Sequence, residues 1–189
     1  TTPFRSMKIK DSEKLILLIL CDLYDNNDVQ GDIDHNFIRD AIFDKQTWAI
    51  PWKFSGIPFE NQETPSEVKY VFDILQMWSL IEYSYAALTD EEKNRLEVDA
   101  APFSRNPVFR GFDGNNETEL LVAAEFIINK LQRFEQFKGR DLNSHAPSIG
   151  TYARMLSAFN TAFENNMGNL LSAEQLATIL KERIHPSNR

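Results

Sequence analysis

Two polar loops hold the residues of this sequence whose types could support chemistry. Asp113 and Asp141 supply carboxylates, His145 supplies an imidazole and Arg140 supplies a guanidinium. A carboxylate or an imidazole can transfer a proton as a general acid or base, and a guanidinium can hold an anion. These four residues are therefore the candidates for catalysis, and a hydrolytic enzyme is the reaction class that they suggest.

Further polar side chains in the same loops are candidates for binding. They are Arg110, Asn115, Asn116 and Glu117 in the loop at residues 110–117, and Asn143 in the loop at residues 139–145. A structural role competes with both assignments, because Asp and Asn order turns, Arg pairs with carboxylates, and a lone loop His is usually solvated. We weight this structural role above catalysis.

Known metal and nucleophile motifs do not fit these loops. With Asp113 at the first position of an EF-hand loop, Thr118 takes the place of the required glycine and Ala124 that of the required glutamate. The three histidines are scattered and the chain has one Cys, which is too few ligands at close spacing for zinc. No nucleophile elbow, phosphate-binding loop or dinucleotide fingerprint is present. The sequence therefore predicts no metal and no cofactor.

One long helix is predicted between the two loops. Residues 116–137 place apolar side chains at spacings of three and four, Asn116 with Glu119 suits a capped start, and Gly139 suits the end. At ~1.5 Å per residue, such a helix separates the loops by about 30 Å. The loops therefore need not form one site within a subunit, although neighbouring chains of an antiparallel oligomer could bring them together.

Apolar residues at helical spacing predict helices along most of the chain. Thr64, Thr89 and Ser172 are each followed by Glu or Gln at the third position, which is the pattern of a capping box. The predicted segments are 11–25, 32–46, 64–88, a short acidic helix after Thr89, 116–137, 147–164 and a last helix after Ser172. No segment shows the alternation of a half-buried strand. We predict an all-α fold, a multihelical bundle of about six to eight helices with irregular aromatic and polar loops.

The segment after the second predicted helix is irregular and rich in aromatic residues. Trp48 and Trp52 lie there beside two prolines, which remove amide donors. The aromatic side chains indicate that the segment packs against the rest of the protein. Trp48 and Trp52 are further binding candidates, with core or interface packing as the weightier alternative.

Composition and charge restrict the class of protein. The chain is 42% hydrophobic and 25% charged, as globular proteins are, and its net charge is -8. No strongly basic region is present, so nucleic-acid binding is disfavoured. The longest apolar run, residues 15–21, is too short to span a membrane, and we expect a cytoplasmic protein.

The domain organisation is expected to be simple. Residues 1–6 suggest a cloning remnant before a native start at Met7, and residues 7–189 suggest one helical domain. An alternative division sets residues 7–60 apart as an N-terminal helical subdomain.

Several segments of the chain resemble the YfbU family. The resemblance is carried by residues 111–117, 134–145 and 152–156, and also by residues 48–57 and 67–88. It extends over nearly the whole chain from Met7. It implies a helical fold, a bacterial cytoplasmic location and self-association, and it implies no particular reaction.

Three functions remain open at this point. The leading hypothesis is a homo-oligomeric interaction or regulatory module, because the helices have more apolar surface than one small bundle needs. The second is an enzyme that uses the loops around Asp113 and His145. The third is a nucleic-acid-binding regulator that uses the helix at residues 32–46, which has few basic residues.

Overall fold

The computed structural model of the protein describes residues 9–29, 31–59, 64–164, 169–185 and 187. These ranges contain eight α-helices and two short 3-10 helices, and no strand, so the expected all-α class is confirmed. The α-helices are α1 (Asp11–Asn26), α2 (His35–Phe43), α3 (Ile50–Lys53), α4 (Ser66–Ala87), α5 (Asp90–Asp99), α6 (Thr118–Asn129), α7 (Ile149–Glu164) and α8 (Ala173–Lys181). The 3-10 helices are Thr47–Ala49 and Glu135–Phe137.

The central helix of the fold is α4. It packs on α6, α7 and α8, while α5 packs on α8 and α1 packs on α2. Its buried side chains lie at helical spacing and include Val71, Ile74, Leu75, Trp78 and Ile81. Each large apolar side chain buried in this way contributes about 1.5–3 kcal/mol. The helix is therefore a rigid support for the loops around it.

Two of the predicted helix starts, Thr89 and Ser172, are confirmed. Thr89 Oγ1 accepts a hydrogen bond from Glu92 N at 3.3 Å, and the Glu92 carboxylate accepts one from Thr89 N at 2.9 Å. Ser172 Oγ accepts from Gln175 N at 3.2 Å, and Gln175 Oε1 accepts from Ser172 N at 2.9 Å. Each pair satisfies amides that have no partner within the helix.

The predicted caps at Thr64 and Asn116 are wrong. Thr64 lies one position before the cap of α4, and its Oγ1 accepts from Trp52 Nε1 at 3.2 Å. The cap position of α6 is Glu117, and the Asn116 side chain donates to the Asp113 carboxylate. In both places the side chain that the local pattern assigned to the helix start forms a hydrogen bond with a different residue instead.

The long helix predicted over residues 116–137 is also wrong, because α6 ends at Asn129. Gln132 and Phe134 have φ angles of +55° and +54°, in the left-handed region that a right-handed helix excludes. The chain turns back there and continues into the 3-10 helix Glu135–Phe137. This reversal returns residues 139–145 to the start of α6, and Gly139 is not a helix terminator.

The remaining helices follow the predicted segments with shifted ends. The helix predicted over 32–46 is shorter, because the Asp34 side chain caps α2 through Phe37 N and Lys45 has a φ angle of +58°. Gly168 and Pro186, whose residue types favour a helix end, and the expected remnant at residues 1–6 lie outside the described residues. Among the helices that the structure describes, none has the length and apolarity to cross a membrane.

Candidate functional site: the loop junction

The two polar loops meet in a loop junction, which we define as residues 110–117 together with residues 139–149. Phe112 and Asn143 form an isolated parallel bridge. Phe112 N donates to Leu142 O at 2.9 Å, and Ser144 N donates to Phe112 O at 3.0 Å. The expected separation of about 30 Å is therefore wrong, since it assumed an uninterrupted helix at ~1.5 Å per residue. Both loops contribute to one site within a single chain.

The closest approach in the loop junction is at Gly111. A Cβ atom on Gly111 would lie 1.7 Å from Leu142 O and 2.2 Å from Leu142 C. The φ angle of Gly111 is +85°, a conformation that favours glycine. Tyr152 Oη donates to Gly111 O at 3.0 Å and fixes the loop from the side of α7. Only glycine fits this position without movement of the backbone.

Asn143 connects the two loops through its side chain. Its Oδ1 accepts from Gly114 N at 3.0 Å and from His145 N at 2.9 Å. The backbone N–H of Asn143 donates to Asp141 Oδ1 at 2.9 Å. This binding candidate therefore orders the backbone on both sides of the junction.

Glu117 lies beneath the loop junction with 6% of its surface exposed. Its carboxylate accepts from Asp113 N at 2.9 Å and from the Ser148 side chain. It also accepts from Ser148 N at 2.6 Å and from Ile149 N at 2.8 Å. These last two amides lie at the start of α7, where backbone donors have no partner within the helix. Glu117 thus joins the first loop to the start of α7.

Hydrogen bonding determines the charge state of Glu117. Burial would raise the pKa of its carboxyl group, but the bonds from Ser148, Asp113 and Ile149 outweigh burial and hold the pKa below the ordinary value of 4.5. Hydrogen bonds to a carboxylate favour its charged form. Glu117 is therefore a charged acceptor at neutral pH.

Asp113 is buried as well, with 1% of its surface exposed. Its carboxylate accepts from the Asn116 side chain and from Asn115 N at 3.1 Å. The bond from Asn116, followed by the bond from the Asn115 backbone, lowers the pKa of Asp113. The carboxylate is thus an ionised acceptor inside its own turn, which is the geometry of a turn-ordering residue.

The lowered pKa of Glu117 predicts how stability changes with pH. A group with a pKa lower in the folded state stabilises the protein above its unfolded-state pKa and loses that contribution as pH falls through the folded-state pKa. Chemical denaturation between about pH 6 and about pH 3 should therefore show a steeper loss of unfolding free energy for the wild type than for Glu117→Gln. Equal slopes for the two proteins would contradict the assignment, and Glu119→Gln serves as the exposed control.

Arg140 is held by a residue of α4. Its two terminal nitrogens donate to the two carboxylate oxygens of Glu82, each at 2.8 Å. Glu82 Oε1 also accepts from Phe109 N at 2.8 Å, and the guanidinium lies 5.0 Å from the centre of the Phe137 ring. Such a bidentate ion pair is strong and directional. Arg140 therefore ties the second loop to the core of the bundle.

Asp141 and His145 differ from the other candidates because both are exposed. His145 Nε2 lies 3.6 Å from Asp141 Oδ2, and the two side chains are 70% and 74% exposed. Water screens a pair with this exposure, so its contribution to stability is small. These are the candidate acid and base groups that solvent can reach.

The four catalytic candidates differ in their exposure and in their bonds. Asp113 and Arg140 use their polar atoms in bonds within the protein, whereas Asp141 and His145 lie at the surface. Ordering of the loop junction accounts for the first two, and a catalytic role of the four stays a prediction. Within the described ranges, no three His, Cys, Asp or Glu side chains stand together in a way that could hold a metal ion.

The other binding candidates lie in two places. Arg110 and Asn115 are exposed at the loop junction. Trp48 and Trp52 belong to a separate aromatic cluster, in which Trp48 Nε1 donates to Gln46 Oε1 at 2.6 Å and Trp52 lies 4.6 Å from the Phe72 ring centre. The packing alternative accounts for the contacts of both tryptophans.

Sequence reasoning missed three residues that build the site. They are Glu82, Ser148 and Tyr152, and each forms a hydrogen bond with a loop residue more than thirty positions away along the chain. A signal existed for Glu82, which is the only charged residue in positions 74–88. A lone charge in an apolar helix indicates a buried partner. Ser148 and Tyr152 gave no such signal, because they fit a helix start and an apolar stripe.

Comparisons with known proteins identify the relatives of this chain. The YfbU domain model matches residues 7–182, a range that contains the whole loop junction. The UPF0304 protein MJECS11 of Methanocaldococcus jannaschii is 28% identical over 120 residues, which cover 61% of this chain and 67% of that protein. No solved structure matches the chain significantly. Because the family match extends over nearly the entire sequence, the resemblance is confirmed, and the chain belongs to the YfbU family.

Proposed function

We propose that this protein is a cytoplasmic interaction or regulatory module that works as a homo-oligomer and self-associates through α1. The observation that carries the proposal is the apolar outer face of that helix. Cys21 is the one buried residue of α1, and its thiol donates to His35 O of α2 at 3.3 Å. The opposite side of the helix has large apolar side chains in solvent.

The exposed face is continuous along the helix. Its members are Leu15, Ile16, Ile19, Leu20 and Leu23, with 62%, 57%, 59%, 46% and 50% of their surfaces exposed. Their spacing places them in one stripe, since positions three and four apart are neighbours on a helix. Monomeric proteins rarely expose such a patch, which usually marks an interface.

A second copy of the same chain is the partner that the proposal assigns to this face. The stripe is apolar along its length, and a two-fold interface uses the same patch on both subunits. A two-fold axis near Ile19 places the middle of the stripe at the centre of such an interface.

The experiment is a comparison of the wild type with Ile19→Glu by sedimentation velocity across micromolar concentrations. Near the two-fold axis, this change places two carboxylates in the same apolar interface. We expect dimerisation to weaken by about 1000-fold or more, which corresponds to about 4 kcal/mol. The wild type should change from monomer to dimer with concentration, and the variant should stay monomeric.

Val98→Glu is the matched control. Val98 is an apolar side chain on α5 that is 81% exposed, so the control adds the same charge to a surface far along the chain from α1. It should dimerise as the wild type does. A wild type that is monomeric throughout the range, or a control that fails equally, would overturn the proposal.

A further inference from the structure

Two cavities adjoin each other along one side of α6. The first has a volume of about 340 Å³ and lies between the end of α2, the start of α4 and the start of α6. The second has a volume of about 250 Å³ and continues toward the end of α6. Asp44 and Val122 line both cavities. We call the two together the α6 groove, and all of its lining residues lie outside the loop junction and outside α1.

The walls of the α6 groove are largely apolar. Val68 and Ala123, which are both buried, line the first cavity beside Trp48, and Phe126 lines the second. The Trp48 indole N–H already donates to Gln46 Oε1 at 2.6 Å, so Trp48 presents its ring rather than its donor to a ligand. Small-molecule sites have this construction, with apolar walls, a few polar groups and volumes of roughly 300–1,000 Å³. The first cavity alone reaches this size.

The rim of the first cavity is negatively charged. Three carboxylates line it, those of Asp44, Glu67 and Glu119, together with the single amine of Lys45. All four side chains belong to exposed residues. In the part of the chain that the structure describes, neither Asp44 nor Glu119 has a basic side chain within ion-pair distance. The excess of carboxylates favours a cation over an anion in this cavity.

The second cavity adds another carboxylate, that of Glu125. The amine of Lys130 lines the same cavity, but it pairs with Asp40 at 2.6 Å. Partial burial raises the pKa of the Glu125 carboxyl group, and the negative charges of Asp141 and Asp44 raise it further. A cation in the groove offsets this repulsion between like charges.

We propose that the α6 groove binds a linear aliphatic polyamine, which is a methylene chain with two or more ammonium groups. Glu119 and Glu125 lie six positions apart on α6, about 9 Å along the helix axis at ~1.5 Å per residue. Two ammonium groups of one chain can each pair with one of these carboxylates, while the methylene groups pack on Val122 between them. The aromatic rings of Trp48 and Phe126 add attraction for an ammonium group. This site is independent of self-association through α1.

Isothermal titration calorimetry with cadaverine and with spermidine tests the proposal, at low ionic strength because salt screens exposed charges. Pentylamine has the chain length of cadaverine with one ammonium group, and the corresponding neutral diol has none. We expect saturable binding of cadaverine and spermidine that is at least about fivefold tighter than binding of pentylamine, because a second ion pair forms. The Trp48 indole N–H resonance should shift over the same concentrations, and that of Trp78 should not.

Two double variants locate the binding. Asp44→Asn combined with Glu119→Gln removes two carboxylates of the first cavity at exposed positions, so the core stays intact. It should weaken the binding of cadaverine at least about tenfold, because two ion pairs are lost. Asp90→Asn combined with Glu91→Gln makes the same change in net charge at the exposed start of α5 and should bind as the wild type does.

Lys45→Gln separates cation binding from anion binding. It removes the one base that lines the first cavity, so it should strengthen the binding of cadaverine about twofold or more. Binding of the dicarboxylate glutarate that is lost in this variant would instead assign the cavity to an anion and overturn the proposal. Equal binding of cadaverine by the wild type and both double variants would show that the net charge of -8 attracts the ligand without a site, which also overturns it.

Discussion

Replacement of Gly111 by Ala should lower the melting temperature by at least about 10 °C, which corresponds to a loss of about 4 kcal/mol. The new Cβ would lie 1.7 Å from Leu142 O, a backbone atom that cannot rotate away, and the φ angle of +85° adds strain for alanine. Relief requires the loops to separate, which breaks the bonds between Phe112 and Leu142 and between Tyr152 and Gly111. Thermal unfolding followed by circular dichroism measures the effect.

Substitutions at two other glycines separate the cost of backbone strain from the cost of the close approach to Leu142. Gly139 has a φ angle of +79° but open space around its Cβ position, so Gly139→Ala should cost only backbone strain, about 1 kcal/mol. Gly56 has open space and no left-handed φ angle, so Gly56→Ala should change stability by less than about 0.5 kcal/mol. If Gly111→Ala melts like Gly139→Ala, the close approach to Leu142 contributes nothing, and the packing of the junction is not as described.

Replacement of Glu117 by Ala should cost about 4 kcal/mol of unfolding free energy, because it leaves buried donors without an acceptor. The donors are Asp113 N, Ser148 N, Ser148 Oγ and Ile149 N. Each buried donor without a partner costs about 1–3 kcal/mol, and loosening of the start of α7 relieves part of the sum. Denaturant titration gives the free energy, and hydrogen exchange at Ser148 and Ile149 shows where protection is lost.

Two variants control this result. Glu117→Gln keeps the volume and one carbonyl oxygen, so it should retain about half of the stability that the alanine variant loses. Glu119→Ala removes an exposed carboxylate from the same helix and should cost less than about 0.5 kcal/mol. A loss below about 1 kcal/mol in Glu117→Ala, or unchanged exchange at Ser148, would show that this carboxylate does not join the loop to α7.

The helical class and much of the helix placement could be predicted because they depend on short-range patterns. The capping boxes at Thr89 and Ser172 each involve residues three apart, so both partners are visible in a short window of sequence. The end of α6 could not be predicted in this way. Leu131 and Phe134 continue the apolar spacing, yet left-handed φ angles at Gln132 and Phe134 turn the chain so that Phe134 and Phe137 pack against other aromatic rings.

In the candidate site, too, local features could be predicted from the sequence and long-range contacts could not. Its loop residues could be selected from their types, but their partners could not, since Arg140 meets Glu82 from 58 positions away and Glu117 meets Ser148 from 31 positions away. Only the fold shows that the Arg183 guanidinium lies over Phe103 and Trp78, because an arginine near a helix end usually has solvent or the last carbonyl groups as its surroundings.

The sequence by itself determined the all-α class, the family and the apolar face of α1, because periodicity and local motifs record which side chains a helix presents. The tertiary structure decided that this face stays exposed and that the two polar loops meet at Phe112 and Asn143. The reason is physical. Helix formation depends on residues three or four positions apart, whereas burial, charge pairing and the direction of a turn depend on contacts between residues that are distant along the chain.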